Sequence, residues 1–280
     1  MLLIAGAKGQ LGSCLAELVP AGRAYFLDVQ DLDITDEKAV RAFGASHEVS
    51  GIINCAAYTN VDRAEDEPEL AYKINVTGAE NLAKLAAEKR VALVQISTDY
   101  VFDGTAHLPI REDAPARPQS VYGKTKLAGE EAALKYAETA VIIRTAWLYS
   151  AYGKNFLKTM LRLAAEKPQI CVVADQIGTP TYAGHLAEAI VQILPQIKAG
   201  MKAVYHFTDE GVASWYDFAS VLVAKAGFKT PVLPIATADY SAKAKRPAYS
   251  VLSKHKIKQD FNVPIDHWIK GVETCLKKLS

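Results

Sequence analysis

Two side chains that could exchange protons with a substrate stand four residues apart in the string Tyr122-Gly-Lys-Thr-Lys126, the only Y-x-x-x-K in the chain. On a helix, residues four apart lie on one face. An ammonium close to a phenol favours the phenolate and lowers its pKa from about 10. Thr98 adds a hydroxyl at the end of an apolar run. We therefore predict Tyr122 as an acid/base with Lys126 and Thr98 as its catalytic partners; the alternative is a solvated tyrosine and lysine on a helix surface.

A glycine-rich string, G-A-K-G-Q-L-G at residues 6–12, follows the first apolar run and opens a helical segment. Glycines so placed let backbone N–H groups at a helix N-terminus approach a pyrophosphate. Asp28 lies 22 residues after Gly6 (28 − 6), near the offset at which an acid accepts hydrogen bonds from the adenosine ribose. Its charge disfavours a 2′-phosphate, whereas Lys8 and Arg23 could attract one. The string predicts a dinucleotide site and leaves NADH and NADPH both open.

Two further segments are candidates to contact the dinucleotide. Asp33-Ile34 follows the second apolar run and could cover the adenine, although Asp33 could equally cap the helix that starts near Asp36. Ala56-Ala57-Tyr58 follows the third run, where small residues leave room for a cofactor. Tight helix packing is the alternative explanation for those small residues.

Short apolar runs alternate with segments rich in good helix formers. The runs lie at Leu2–Ala5, Ala24–Leu27, Gly51–Asn54, Val91–Ile96 and Ala140–Ile143. The helical segments lie at Leu11–Leu18, Asp36–Phe43, Leu70–Glu88 and Tyr122–Tyr136. This alternation, with continuously apolar runs, predicts an α/β fold with a doubly wound, Rossmann-type parallel sheet.

Glycines and prolines punctuate the chain after about residue 145, which predicts a smaller, loop-rich C-terminal substrate lobe. We assign residues 1–146 to the dinucleotide-binding domain, which also uses 166–206, and residues 147–165 and 207–280 to the substrate-binding lobe. Two apolar runs in the second half, Ile170–Ala174 and Ala203–Phe207, are candidates to extend the main sheet.

Composition argues against several kinds of binding partner and cellular location. The 280 residues carry 32 Lys+Arg and 31 Asp+Glu, a formal charge of +1, so we expect neither nucleic acid nor an anionic membrane surface as a partner. The four cysteines lack ligand spacing and predict neither disulfides nor a zinc site. No signal h-region or membrane span is recognisable, and the expected location is the cytoplasm.

The glycine loop, the hydroxyl after the fourth run and Y-x-x-x-K together resemble the extended short-chain dehydrogenase/reductase family, which acts on nucleotide sugars. Longer strings are similar to the dTDP-4-dehydrorhamnose reductases of that family, nearly from end to end. These strings are G-Q-L-G (9–12), N-C-A-A-Y-T-N-V-D-R-A-E (54–65), S-T-D-Y-V-F-D-G (97–104), Y-G-K-T-K-L-A-G-E (122–130), R-T-A-W-L-Y (144–149), G-K-N-F (153–156), D-Q-I-G-T-P-T (175–181) and K-R-P-A-Y-S (245–250).

The resemblance implies that hydride from NADPH or NADH reduces the 4-keto group of dTDP-4-dehydro-L-rhamnose in the final step of dTDP-L-rhamnose synthesis. It implies that Tyr122 donates the proton, that Thr98 hydrogen-bonds the sugar carbonyl, and that Lys126 binds the nicotinamide ribose and lowers the pKa of Tyr122. Asp99 and Trp147 match sugar-contacting positions. With the glycine string, the expected cofactor-binding residues are Gly6, Gly9, Gln10, Leu11, Gly12, Asp28, Asp33, Ile34, Ala56, Ala57, Tyr58, Ile96, Tyr122 and Lys126.

Arg246 precedes a proline in a polar segment and is a candidate for the substrate diphosphate, which suits a guanidinium fork. The alternative is an exposed surface arginine. Some family members form dimers around Mg²⁺ held by acidic side chains, but here Ser13-Cys14 and the segment from Thr181 to His185 stand at those places. We therefore expect no metal site, and a monomer or weak dimer in place of the Mg-bridged one.

Two other functions compete with a reductase. An epimerase or dehydratase acting on a nucleotide sugar would hold NAD tightly and return the hydride to the same sugar. A non-catalytic regulatory subunit, such as the family's relatives that regulate methionine adenosyltransferase, would share the fold without turnover. The presence of Thr98, Tyr122 and Lys126 favours an enzyme.

Overall fold

The computed structural model describes residues 1–279. The strands are β1 (Leu2–Ala5), β2 (Ala24–Leu27), β3 (Gly51–Asn54), β4 (Ala92–Thr98), β5 (Thr139–Thr145), β6 (Leu148–Tyr149), β7 (Ile170–Val173), β8 (Ile177–Gly178), β9 (Thr181–Tyr182), β10 (Lys202–His206), β11 (Ala213–Ser214) and β12 (Val232–Ile235). The helices are α1 (Gln10–Leu18), α2 (Glu37–Ser46), α3 (Val61–Ala64), α4 (Pro68–Tyr72), α5 (Gly78–Lys89), α6 (Val121–Tyr136), α7 (Phe156–Glu166), α8 (Ala183–Ile193), α9 (Trp215–Lys225), α10 (His255–Phe261) and α11 (Trp268–Leu279). Among these residues no helix has the length and apolar character needed to cross a membrane.

Six strands form one parallel sheet in the order β10-β5-β4-β3-β1-β2. The doubly wound α/β fold is therefore confirmed. The first three predicted runs coincide with β1, β2 and β3, and the fourth and fifth lengthen into β4 and β5. Successive strands first move outwards from β1 to β2 and then continue from β3 on the other side of β1. This reversal places a ligand-binding crevice at the carboxyl ends of β1 and β3.

Both faces of the sheet are covered, which explains why its strands are continuously apolar. Alternate residues of each strand point to opposite faces. One face, which includes Ile4, Ile53 and Val94, packs against α1, α8 and α10. The other, which includes Leu3 and Ile52, packs against α2, α5 and α6. The strand ends that carry the site therefore rise from a core closed on both sides.

The second half of the chain divides its elements between the main sheet and a separate core. The run at 203–207 forms β10 and joins the sheet beside β5. The run at 170–174 does not, and its expected place in the main sheet is wrong, because β7 pairs with β12. Helices α7, α9 and α11 pack around Tyr149 and Phe218 in their own hydrophobic cluster.

The start of helix α2 settles the role of two acidic side chains. Asp36 Oδ1 accepts hydrogen bonds from the backbone N–H groups of Lys38 (2.9 Å) and Ala39 (3.1 Å), as an N-cap does. Asp33 instead accepts from the N–H and hydroxyl of Thr35. The capping alternative for Asp33 is therefore wrong, and its carboxylate shapes the turn ahead of the helix.

Candidate active site

The loops that follow β1 and β3 meet at the crevice. Gly6 adopts φ +76°, a left-handed conformation that favours glycine. A Cβ at Gly6 would lie 2.6 Å from the backbone nitrogen of Ala56. Any larger residue at position 6 would therefore push the two loops apart.

The N-terminus of α1 opens beside these loops with its first backbone donors free of side-chain caps. Its N-cap is Gly9, which offers no side chain. A Cβ at Gly12 would lie 2.6 Å from Ala7 Cα, so glycine is needed for the helix to pack this tightly on the loop. Leu11 anchors the first turn in the core at 4% exposure. Uncapped N–H groups at a helix N-terminus bind anions, and these residues fit a dinucleotide pyrophosphate.

Asp28 ties the glycine loop to the end of β2. Its carboxylate accepts hydrogen bonds from the backbone nitrogens of Lys8 (2.9 Å) and Val29 (2.9 Å). The Lys8 ammonium lies 3.5 Å from the side-chain oxygen of Gln30, two residues after Asp28. Arg23 lies just before β2, at the opposite edge of the sheet. Of the two cations considered for a 2′-phosphate, the structure brings Lys8 to the crevice.

A π-helical turn at Lys73–Thr77 braces the segment after β3. Within it, the Asn75 side chain accepts from the Tyr58 backbone nitrogen at 2.9 Å and donates to Thr125 of α6 at 3.0 Å. The Ala56 nitrogen donates to the side chain of Asn54 at 3.1 Å. Asn75 therefore fixes the Ala56-Ala57-Tyr58 loop relative to the helix that carries Tyr122. Sequence analysis missed Asn75, because a π turn has no clear signal inside a long helical pattern.

Two predicted cofactor residues have additional structural partners. Ile34 is buried, its carbonyl accepts from Asn81 at 2.9 Å, and a Cβ at Gly78 would lie 2.5 Å from it. The Gln10 side-chain oxygen accepts from Ser150 (3.1 Å) and Asn155 (2.9 Å). Gln10 therefore connects the glycine loop to the segment before α7. Asn155 lies in the G-K-N-F string, which was the signal that could have identified it.

Strand β4 and helix α6 bring the three predicted catalytic residues together. Ser120 caps α6 through a hydrogen bond from the Gly123 nitrogen, and Tyr122 and Lys126 then lie on successive turns. The Lys126 ammonium donates to the carbonyl of Ile96 at 2.6 Å. Burial lowers the pKa of Lys126 to about 8. Thr98 ends β4 and is 5% exposed.

The pKa of Tyr122 moves opposite to the sequence expectation. Burial raises it to about 12, against the lowering effect of a hydrogen bond with Thr98. The Lys126 ammonium donates to the Ile96 carbonyl and is not among the groups that shift this pKa, so the lowering by Lys126 stays a prediction. Tyr100 packs edge-on against Tyr122, with ring centroids 5.4 Å apart, and contributes to the low-dielectric surroundings. Tyr122 therefore carries its proton at neutral pH.

Asp99 is a buried carboxyl with a free acceptor. It is 2% exposed, and its Oδ1 accepts from the Thr98 hydroxyl at 3.0 Å. Its Oδ2 has no hydrogen-bond partner among residues 1–279. Burial raises the pKa of Asp99 to about 6, against the lowering effect of hydrogen bonds with the Ser250 and Thr98 side chains. Because buried polar atoms normally have partners, this oxygen fits a ligand hydroxyl.

Trp147 follows β5 in a conformation unusual for a bulky residue, with φ +49°. Its ring stacks on Trp215 at a centroid distance of 3.6 Å, and a Cβ at Gly178 would lie 2.6 Å from it. Strained residues of this kind cluster at ligand sites. The indole is held by the lobe and lies at the same sheet edge as Thr98, since Thr98 pairs with Thr145 two residues before it.

Arg246 does not project freely from the surface. Its Nη2 donates to Asp62 Oδ2 at 2.7 Å, and its side chain is 19% exposed. With Tyr100, Phe102 and Pro247 it lines a narrow gap that has no room for a water molecule. The surface alternative is therefore wrong, and the guanidinium lies on the Tyr100 side of the crevice.

Beneath the catalytic residues lies a charged network that sequence analysis missed. Glu130, one turn after Lys126, pairs with Arg144 of β5 at 2.7 Å, and their side chains are 3% and 6% exposed. The Ser97 hydroxyl donates to the same carboxylate at 2.5 Å. The sequence feature that could have identified this network is Glu130, the acidic residue eight positions after Tyr122 in the Y-G-K-T-K-L-A-G-E string.

The two positions that correspond to Mg²⁺ ligands in some family members, near Cys14 and His185, make different contacts in this structure. Cys14 is buried in the core between α1 and the sheet. His185 Nδ1 lies 2.9 Å from a carboxylate oxygen of Asp209, which is fully buried. Across residues 1–279, no group of three or more His, Cys, Asp or Glu side chains could hold a metal ion.

Comparison with known proteins relates this geometry to a family. The model described as the RmlD substrate binding domain matches residues 1–280. The dTDP-4-dehydrorhamnose reductase of Aggregatibacter actinomycetemcomitans is 43% identical over 284 residues, covering 97% of each chain. The crystal structure of the Clostridium acetobutylicum dTDP-4-dehydrorhamnose reductase has TM-score 0.95 and 40% identity, covering 99% of each chain. That of the Bacillus anthracis enzyme, in complex with NADP, has TM-score 0.95 and 38% identity, covering 99% of this chain and 98% of that one.

Proposed function

The chain belongs to the RmlD substrate-binding-domain family, and from this membership we propose that it reduces the 4-keto group of dTDP-4-dehydrorhamnose at the expense of NADPH or NADH. One observation carries the proposal. Thr98, Tyr122 and Lys126 converge at the carboxyl edge of the sheet, beside a helix N-terminus without a side-chain cap. A carbonyl placed there would meet a proton donor, and a dinucleotide would meet a phosphate site.

The bound nicotinamide dinucleotide supplies the hydride. The glycine string at residues 6–12 would bind the pyrophosphate of this dinucleotide through its backbone N–H groups. Asp28 and Lys8 flank the adenosine end, and the Ala56-Ala57-Tyr58 loop lies opposite. Lys126, held by the Ile96 carbonyl, is placed to bind the nicotinamide ribose.

Proton delivery is the task of Tyr122. A ketone that accepts hydride becomes an alkoxide, so it needs an acid and hydrogen-bond donors where the charge develops. Tyr122 remains protonated because burial raises its pKa to about 12, and an alkoxide is basic enough to take that proton. The Thr98 hydroxyl donates to Asp99 Oδ1 in the structure and would turn from it to donate to the same alkoxide oxygen. Asp99 Oδ2 is the free acceptor for a neighbouring sugar hydroxyl.

The remaining assignments concern the substrate lobe and the assembly. The lobe that binds the sugar nucleotide is built around α7, α9, α11 and the β7–β12 pair, with Trp147 against the sugar and Arg246 on the diphosphate. The protein acts as a monomer or weak dimer without a metal bridge. A cytoplasmic location is supported by the four cysteines, which are all free thiols.

Reduced-cofactor consumption at 340 nm tests the function, with dTDP-4-dehydrorhamnose generated in situ by its upstream enzymes and with NADH and NADPH in parallel. We expect oxidation that requires the complete substrate and a product that chromatographs as dTDP-rhamnose. Protein that releases stoichiometric NAD on denaturation and exchanges no hydride with added cofactor would instead be an epimerase or dehydratase. Protein that binds nucleotide without any turnover would be a regulatory subunit, and either result overturns the reductase.

Replacing Lys8 by Ala is expected to raise the KM for NADPH about tenfold and to leave the KM for NADH within about twofold. The Lys8 backbone is bonded to Asp28 and its ammonium lies near Gln30, so we expect the ammonium to reach a 2′-phosphate at this end of β2. One charge-assisted hydrogen bond is worth about 1.4 kcal/mol, or tenfold. Steady-state kinetics with both cofactors measure the effect. Arg23→Ala is the matched control, because Arg23 lies at the far edge of the sheet and should leave the ratio unchanged. Equal losses with both cofactors would contradict the assignment.

A further inference from the structure

A loop at residues 240–247, here called the cleft loop, crosses from the lobe towards helix α3. Just beyond it the chain is anchored. The Ile177 nitrogen donates to the Ala248 carbonyl at 2.8 Å, and the Tyr249 nitrogen donates to the Gly104 carbonyl at 3.2 Å. The C-terminal end of the loop is therefore fixed next to the segment that follows β4.

The tip of the cleft loop is held by one carboxylate. Asp62 Oδ1 accepts from the backbone nitrogen of Ala244 at 3.0 Å, and Asp62 Oδ2 accepts from Arg246 Nη2 at 2.7 Å. A second, more exposed pair joins Lys243 to Asp66. Asp62 thus fixes both the backbone of the loop and its arginine, whereas Asp66 contacts only a flexible lysine end.

The other side of Arg246 faces the catalytic residues. Arg246 and Pro247 line a narrow gap together with Tyr100 and Ser120. Tyr100 in turn packs edge-on against Tyr122. A guanidinium has five N–H donors, and among residues 1–279 its one hydrogen bond is to Asp62. Donors therefore remain for a second anion on the catalytic side.

We propose that Asp62 is a positioning residue for the nucleotide sugar, which holds the cleft loop closed and presents the Arg246 guanidinium to the substrate diphosphate. The inference rests on the proposed function and adds a residue that touches neither the reacting carbonyl nor the dinucleotide. Without Asp62 the loop loses two hydrogen bonds at its tip. Arg246 must then be ordered when the substrate binds, and this entropic cost weakens substrate binding.

The test compares Asp62→Ala and Asp62→Asn with wild type in the NADPH assay. We expect the KM for dTDP-4-dehydrorhamnose to rise about tenfold in Asp62→Ala and less in Asp62→Asn, with kcat and the KM for NADPH within about twofold. Asp66→Asn, which breaks the exposed Lys243 pair, is the matched control and should change none of these values. In Arg246→Ala, adding Asp62→Ala should cause no further loss, because one side chain acts through the other.

Additive losses in that double variant, or an unchanged KM for the sugar nucleotide, would overturn the positioning role while leaving the reductase intact. If wild type shows no turnover, the proposed function fails on its own. Titration calorimetry with dTDP then still tests the positioning role, because Asp62→Ala should weaken dTDP binding about tenfold. An unchanged dissociation constant would reject it. Thermal melts of each variant confirm that the Asp62 side chain, 41% exposed, is dispensable for folding.

Discussion

Tyr122→Phe is expected to lower kcat by about 10²- to 10⁴-fold, which is the usual worth of a general acid. The substitution keeps the ring that packs against Tyr100 and removes only the hydroxyl that shares a hydrogen bond with Thr98. Hydride transfer would then leave the forming alkoxide without its proton donor. NADPH oxidation at 340 nm under saturating substrate measures kcat directly.

Cofactor affinity separates this catalytic role from a structural one. The dissociation constant for NADPH, followed by fluorescence titration, should change less than about threefold in Tyr122→Phe. Tyr100→Phe is the matched control, since it deletes a neighbouring buried hydroxyl and should reduce kcat less than about tenfold. A Tyr122→Phe enzyme that keeps more than about a tenth of wild-type kcat would assign proton donation to another group.

Much of the fold and the site could be predicted because local sequence and global structure agree there. The continuous apolar runs had the right length and spacing for a sheet covered on both faces, so β1, β2 and β3 begin and end where predicted. Glycines at 6 and 12 are demanded by close backbone approach, which depends on residue type alone. Tyr122 and Lys126 followed from helical periodicity, and Thr98 from its position at the end of a strand.

The parts that sequence could not supply depend on tertiary environment. The direction of the Tyr122 pKa shift is set by burial, against the effect of a hydrogen bond with Thr98, and neither has a local pattern. The run at 170–174 is apolar like a core strand, but it pairs with β12, which lies about 60 residues later in the chain, and not with the main sheet. The partner of Arg246 is likewise Asp62, 184 residues away.

Breaking the buried pair of Arg144 and Glu130 should destabilise the protein far more than breaking an exposed ion pair. Arg144→Met is expected to lower the free energy of unfolding by about 3–5 kcal/mol, because it leaves the Glu130 charge buried without its partner. Ser97 still donates to that carboxylate at 2.5 Å but cannot neutralise it. Urea unfolding followed by circular dichroism measures the loss. Arg162→Met is the matched control, since Arg162 and Glu166 are also 2.7 Å apart but are 58% and 51% exposed, and its cost should be about 0.5 kcal/mol or less.

Adding Glu130→Gln to Arg144→Met removes the stranded charge, and we expect it to restore at least about half of the lost stability while an acceptor for Ser97 remains. A loss in Arg144→Met as small as that in Arg162→Met would mean that water reaches and screens the pair. The location of the pair gives the result a functional meaning. Ser97 precedes Thr98 on β4, and Glu130 lies one turn after Lys126 on α6. The network therefore links β4, which carries Thr98, to α6, which carries Tyr122. In Arg144→Met we therefore expect kcat to fall at temperatures at which the variant is still folded.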